Sequence, residues 1–316
     1  MMLRIKLLRV SEMLLLATLF AGSIPARAVT PAQQPAPPAD LAAPTQLLLH
    51  KQYAQAVALL RKLLPEHKDQ AELHVMLAYA LFRADKPAES LQEYTRAAQL
   101  RHPTAEDLKW VALDYVLLND YKDAAKWMYQ SLRMNPHDEM AWYSMGRILY
   151  TQNLFKKAEI CFEQALKLKP HSVDAENNLG LTYEALFKWN DAIAAYKQAI
   201  AWQQNSTHPS EEPLLNLGII YLDQNHLTRA LPLLKQAATI DPRSQRILTQ
   251  LARANYRLGN FADAEAELRT ALKKAPKDAA LHFQLGRVLS KEGKTSEAKA
   301  EFARVAALDG THSDNP

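Results

Sequence analysis

Along most of the chain, large apolar, small and polar positions return with a fixed spacing of 34 residues. The clearest unit runs from Glu139 to Ser172, where Trp142, Met145, Gly146, Leu149, Ala158, Phe162, Ala165 and Pro170 fall at positions 4, 7, 8, 11, 20, 24, 27 and 32. The same positions hold Leu179, Gly180, Tyr183, Ala192, Tyr196 and Ala199 in the next unit. In the unit starting at Gln245 they hold Leu248, Leu251, Ala252, Ala264, Leu268, Ala271 and Pro276. Units begin near residues 37, 71, 105, 139, 173, 211, 245 and 279, with an insertion of four residues, Thr207 to Ser210, resetting the phase. Each unit predicts two helices, and proline at position 32 cannot continue the second, so the chain turns into the next unit. The unit from residue 37 is degenerate: Leu47, Ala56, Leu60 and Leu63 support a second helix, whereas Pro44 is expected to interrupt the first.

This pattern, repeated in seven successive units, resembles the tetratricopeptide repeat family over residues 45–310. The resemblance implies an all-α, right-handed superhelical solenoid of antiparallel helix pairs. Small residues at positions 8 and 20 let the two backbones approach, and large groups at positions 4, 7, 11 and 24 fill the space around that contact. One unit cannot bury its apolar face alone, so neighbours must stack.

Composition agrees with a helical reading. Only 8 glycines occur in 316 residues, and 48% of the residues are hydrophobic, enough for a substantial core. Formal charge is +4, but Arg4, Lys6, Arg9 and Arg27 against Glu12 place +3 of it in residues 1–28. The nearly neutral remainder has no clustered basic surface for nucleic acid. That first segment has a positive start, an apolar stretch from Met13 to Ala21 and a small-residue site at Ala26-Arg27-Ala28, so it reads as a signal peptide cleaved near Ala28. Export to the periplasm or beyond the cell is the expected outcome, with membrane association only through an uncleaved signal. Residues 29–44, rich in Pro, Ala and Gln, are expected to form a disordered tether, and residues 311–316 a disordered tail. The single cysteine, Cys161, excludes an internal disulfide and, beside Phe162, reads as a buried apolar group.

No catalytic site, metal site or cofactor is predicted. Gly146, Gly180, Gly218 and Gly286 are used at position 8, Gly259 and Gly293 at the turn of position 15, Gly22 in the signal and Gly310 at the end of the last helix, leaving none for a phosphate loop. No HExxH or GxSxG motif occurs, and His102, His137 and His171 lie beside inter-repeat prolines, where they read as turn residues.

The resemblance implies that the first helix of each pair lines a concave groove for an extended protein or peptide partner, chiefly through positions 2, 5, 6, 9, 12 and 13. Carried onto this chain, those positions give an apolar early part that includes Tyr79, Phe82 and Trp110, and a later, polar part. The polar part comprises Tyr143, Arg147, Tyr150, Asn177, Asn178, Asn216, Gln250, Arg253, Tyr256, Arg257, Gln284 and Arg287. Asn178, Asn216, Gln250 and Gln284 repeat an amide at position 6, which could pair with the backbone of an extended chain or simply be a tolerated polar surface. Three roles are open: an adaptor binding an extended segment, a structural protein dimerising through its last repeat, and an accessory subunit of an envelope assembly or secretion machine. No small-molecule substrate is implied by any of them. As a core aromatic, Phe162 replaced by Ala is expected to cost about 3–5 kcal/mol in a thermal or denaturant melt, and an unshifted midpoint would remove it from the core.

Overall fold

A computed structural model describes residues 40–313. The expected signal peptide, most of the expected tether and the last three residues lie outside that range. Sixteen helices and no strands occur among the described residues. In order they are α1 (Ala42–Leu49), α2 (Tyr53–Leu63), α3 (Ala71–Arg83), α4 (Pro87–Leu100), α5 (Ala105–Leu117), α6 (Tyr121–Met134), α7 (Glu139–Thr151) and α8 (Phe155–Leu168). They continue as α9 (Val173–Ala185), α10 (Trp189–Trp202), α11 (Glu212–Asp223), α12 (Leu227–Ile240), α13 (Gln245–Leu258), α14 (Phe261–Lys274), α15 (Ala279–Lys291) and α16 (Thr295–Ser313). The chain divides into two compact units, one ending at Asn153 and the other starting at Leu154. Within each, a helix packs on its own hairpin partner and on the first helix of the following pair, giving the all-α stack of helix pairs that the repeat demands.

The turn inside each hairpin follows one rule. A residue at position 15 takes left-handed backbone: Asp85, Asn119, Asn225 and Gly259 do so with φ of 58°, 59°, 63° and 82°. The next amide then reaches back five residues, as Lys86 N to Leu81 O (2.9 Å), Asp120 N to Tyr115 O (2.9 Å) and Asn260 N to Asn255 O (2.9 Å). This closure satisfies a carbonyl that the ending helix would otherwise leave open. The first helices start on matching side-chain caps: Thr104 forms a reciprocal capping box with Asp107, and Asp138 Oδ1 accepts from Ala141 N at 3.0 Å.

Close approach of the paired helices is visible at position 8. A Cβ added at Gly180 would lie 2.5 Å from Tyr196 Cε1, and one at Gly218 would lie 2.8 Å from Leu234 Cδ2. Tyr196 and Leu234 are themselves fully buried, so neither can swing away. Phe162 is likewise 0% exposed. Cys161 is buried, and burial pushes its thiol up to about 12, which keeps it in the unreactive thiol form.

Three boundaries differ from expectation. Pro44 does not interrupt the first helix; it is buried in the opening turn of α1, at a position whose N–H has no intrahelical partner in any helix. Residues 42–44 therefore belong to α1 and not to a tether. At the other end α16 runs through Gly310 to Ser313, so residues 311–313 are helical and Gly310 does not stop the helix. The four-residue insertion lengthens a turn that is held by one side chain: buried Gln203 accepts from Ser210 N and donates to Ser210 O, both at 2.8 Å.

Candidate functional site

In the unit ending at Asn153, helices α3, α5 and α7 are the first members of their pairs and contact each other in sequence. Trp110 on α5 meets two rings of α3: Tyr79 edge-on at 4.9 Å and Phe82 at 5.2 Å. The patch is half-buried, so each ring keeps a solvent-facing part. One exposed cation, Arg83, stands at its rim, while Lys109 is buried and paired with Asp138 at 2.8 Å. The Arg83 guanidinium lies 4.6 Å from the centre of the Tyr53 ring and donates to Tyr79 Oη at 2.9 Å, and Lys109 Nζ stands 5.7 Å from the Trp110 ring. Further along the same face, exposed Arg147 lies 5.9 Å from the Tyr143 ring, and Tyr150 is half-buried.

In the unit starting at Leu154, the polar residues separate into two groups. Asn177 and Asn216 are buried and committed to each other: Asn216 Nδ2 donates to Asn177 Oδ1 at 3.0 Å. Arg246 then donates to Asn216 Oδ1 at 2.8 Å and to Glu212 Oε2 at 2.7 Å, joining α9, α11 and α13. Asn178 turns back on its own helix, donating to Asp174 O at 2.8 Å. Arg257 clips the end of α13 to the preceding turn through Leu222 O (2.5 Å) and Asn225 Oδ1 (2.7 Å). The row of four amides is thus broken: Asn178 is spent on its own helix, and Asn216 on holding neighbouring repeats together.

The second group surrounds a cavity of about 300 Å³ between α13 and α15, lined by Arg253, Tyr256, Phe283, Gln284 and Arg287. Arg287 stacks over Tyr256 at 4.9 Å and donates to its Oη at 3.4 Å, and Arg253 is paired with Asp223 at 2.8 Å across an exposed contact. Gln250 Oε1 on α13 is buried and has no hydrogen-bond partner among the described residues. Phe283 and Arg246 were missed by sequence reasoning, although they sit at positions 5 and 2 of their units and were within reach of the same positional rule. Chemically the cavity offers an aromatic wall, an amide and two guanidinium groups, a set suited to holding a carboxylate next to an apolar group. Among the described residues, no group of three or more His, Cys, Asp or Glu side chains stands together as metal ligands.

Two carboxyls under these faces are shifted toward the protonated form by burial. Asp114 on α5 is fully buried, and desolvation pushes its carboxyl up to about 8 despite a 2.6 Å hydrogen bond from Ser90 Oγ. Glu267 on α14 is pushed up to about 7 by burial, against the hydrogen bond donated by Asn255 Nδ2 at 2.9 Å.

Comparison with known proteins identifies the repeat directly. Tetratricopeptide repeat models match residues 49–105, 140–172, 172–243, 221–285 and 259–314, together well over half of the chain. The chain belongs to the tetratricopeptide repeat family. It is 24% identical over 263 residues to BBSome complex member BBS4 of Bos taurus, a match spanning 74% of this chain and 50% of that protein. The chain thus spans half the length of that curated relative. Among solved structures, PilW, described as a widely conserved type IV pilus biogenesis factor, superposes with a TM-score of 0.57 at 23% identity, covering 64% of this chain and 92% of PilW. YrrB, a TPR protein described as having an unusual peptide-binding site, gives a TM-score of 0.50 at 15% identity, covering 60% of this chain and 95% of YrrB. These likenesses establish the fold.

Asp114 generates a pH prediction. Its folded carboxyl keeps a proton up to about 8, whereas in the unfolded chain it releases that proton near about 3.9. Between those values the folded state binds more protons, so raising pH across the window lowers stability, by a few kcal/mol at most. Asp114→Asn should flatten that decline, read as the urea midpoint across the pH series; an unchanged slope would show that Asp114 ionises freely in the fold.

Proposed function

We propose that this protein is a non-catalytic adaptor that holds an extended, partly acidic segment of another protein on the face built by its first helices. The observation that carries this reading is the contrast between the two halves of the polar row. Asn177 and Asn216 are tied into the packing, while Arg253, Tyr256, Gln284 and Arg287 converge on an open cavity. A peptide backbone pairs with the Gln284 amide, and a carboxylate satisfies the guanidinium forks. The membership of BBS4 in a complex and the peptide-binding site of YrrB support the same kind of work for this chain. The aromatic patch of Tyr79, Phe82 and Trp110 gives a second, apolar contact on the corresponding face of the other unit.

The cell envelope is the proposed place of action, supported by the signal-like residues 1–28 and by the fold shared with a pilus biogenesis factor. No helix among the described residues is long and apolar enough to cross a membrane.

A photo-crosslinking residue placed at Gln284 tests the reading in the native envelope. It should yield a discrete adduct with one polypeptide, and the Arg253→Glu, Arg287→Glu double variant should reduce that adduct about tenfold or more. An adduct of undiminished yield in the double variant would contradict it.

A further inference from the structure

Two units of the array break the repeat rule in the same way. Position 4 of the first helix holds Leu108, Trp142, Leu214 or Leu248 in four units, but His74 in the unit starting at residue 71 and His282 in the unit starting at residue 279. Position 26 is Gln130, Gln164, Gln198, Gln236 or Thr270 in the five units between, but Arg96 and Arg304 in these two. Glu93 and Glu301 at position 23, Glu89 and Glu297 at position 19, and Arg61 and Arg269 one unit upstream complete two sets separated by a constant 208 residues.

The contacts are duplicated with the residues. His74 Nδ1 lies 2.6 Å from Glu93 Oε2, and its Nε2 lies 3.0 Å from the Lys68 carbonyl. His282 Nδ1 lies 2.5 Å from Glu301 Oε2, and its Nε2 lies 3.0 Å from the Pro276 carbonyl. In both sets the second oxygen of the glutamate accepts from the arginine at position 26, Arg96 or Arg304. On the opposite wall Arg61 pairs with Glu89 and Arg269 with Glu297. The histidines and their glutamates are buried, whereas Arg96 and Arg304 remain more than half exposed. A buried relay of backbone carbonyl, imidazole and carboxylate therefore holds one guanidinium at the rim. Elsewhere an apolar residue serves at position 4 in four units, with Glu176 in the fifth, and at position 23 in four units, with Glu267 in the fifth, so packing does not require the polar relay, and placing polar groups in the interior carries a desolvation cost.

Each set lines a cavity on the side of the second helices, about 640 Å³ at His74 and about 660 Å³ at His282, with partly exposed aliphatic side chains of Leu64 and Leu100 in one and of Leu272 and Leu308 in the other. Arginines from two helices face the opening beside those side chains. The geometry points to a duplicated binding site, distinct from the face of the first helices, for a peptide segment in which an acidic side chain stands beside an aliphatic one. The carboxylate bridges the two guanidinium groups and the aliphatic side chain covers the leucines, and because the arginine is already held in place, little side-chain freedom is lost on binding. In both copies the arginines are already paired with carboxylates, Arg61 with Glu89 and Arg96 with Glu93 in one, Arg269 with Glu297 and Arg304 with Glu301 in the other, so an acidic side chain enters by sharing those guanidinium groups.

Calorimetric titration of the full chain with a short peptide alternating glutamate and leucine tests the assignment, with a glutamine–leucine peptide as control. Two peptides per chain are expected, with the control silent. Arg96→Gln and Arg304→Gln should each remove one site, and the double variant should lose both. His74→Leu with His282→Leu installs the residue used elsewhere in the repeat and leaves every arginine in place, yet should weaken binding about tenfold because the rim arginine is no longer held. Arg253→Glu with Arg287→Glu is the background for these titrations, because the adaptor face it removes would itself take a carboxylate beside an apolar group and add to the count. A silent titration of the unaltered chain, or full binding in the Arg96→Gln, Arg304→Gln double variant, overturns the assignment.

Discussion

The structure depends on how closely the two helices of a hairpin approach each other. At Gly180 and Gly218 there is no room for a single methyl group, because Tyr196 and Leu234 from the partner helix fill the space against the backbone. Small residues at position 20, such as Ala192 and Ala230, are fully buried on the other side of the same contact. Once that contact is made, the rest of each hairpin's apolar surface can only be covered by the next hairpin, and the stack follows. The left-handed residue and backward hydrogen bond at each turn keep the hairpins alike in geometry.

A stack of this kind separates packing from binding by position in the repeat. Positions 8, 11, 20, 24 and 27 are used up in the interior, whereas the outward positions of the first helix are free to vary without disturbing the hairpin. That freedom is used unevenly. Asn177, Asn216 and Arg246 turn part of the face into a strap between consecutive repeats, and Arg257 ties a helix end to the turn before it. The region of Arg253, Tyr256, Gln284 and Arg287 combines exposure, an aromatic wall and a cavity. Burial acts beneath these faces too, shifting Asp114 and Glu267 toward the protonated form and so making part of the stability sensitive to pH.

Much of this was legible in the sequence because a helical repeat writes its packing rules in a fixed period. The helix pairs, the small residues at position 8 and the buried state of Phe162 and Cys161 followed from position alone. Pro44 misled because proline is a breaker only inside a helix, and an opening turn has no hydrogen bond for it to remove. The amide row misled for a different reason. Position fixes which way a side chain leaves the helix, but an arginine one unit away, Arg246, decides whether the amide faces a partner or a neighbour. The histidine and glutamate pairs went unread because their spacing of 19 residues joins two helices of a hairpin rather than one helix face. Their recurrence 208 residues apart was the available signal.

The account turns on the claim that the first helices form the gripping face for an extended polypeptide. A structure of this chain bound to the polypeptide recovered with it tests that most directly. The expected result is an extended segment lying across α13 and α15, with a carboxylate at Arg253 or Arg287 and a backbone group paired with the Gln284 amide. A partner that left the first helices bare and touched only the second helices would contradict the claim.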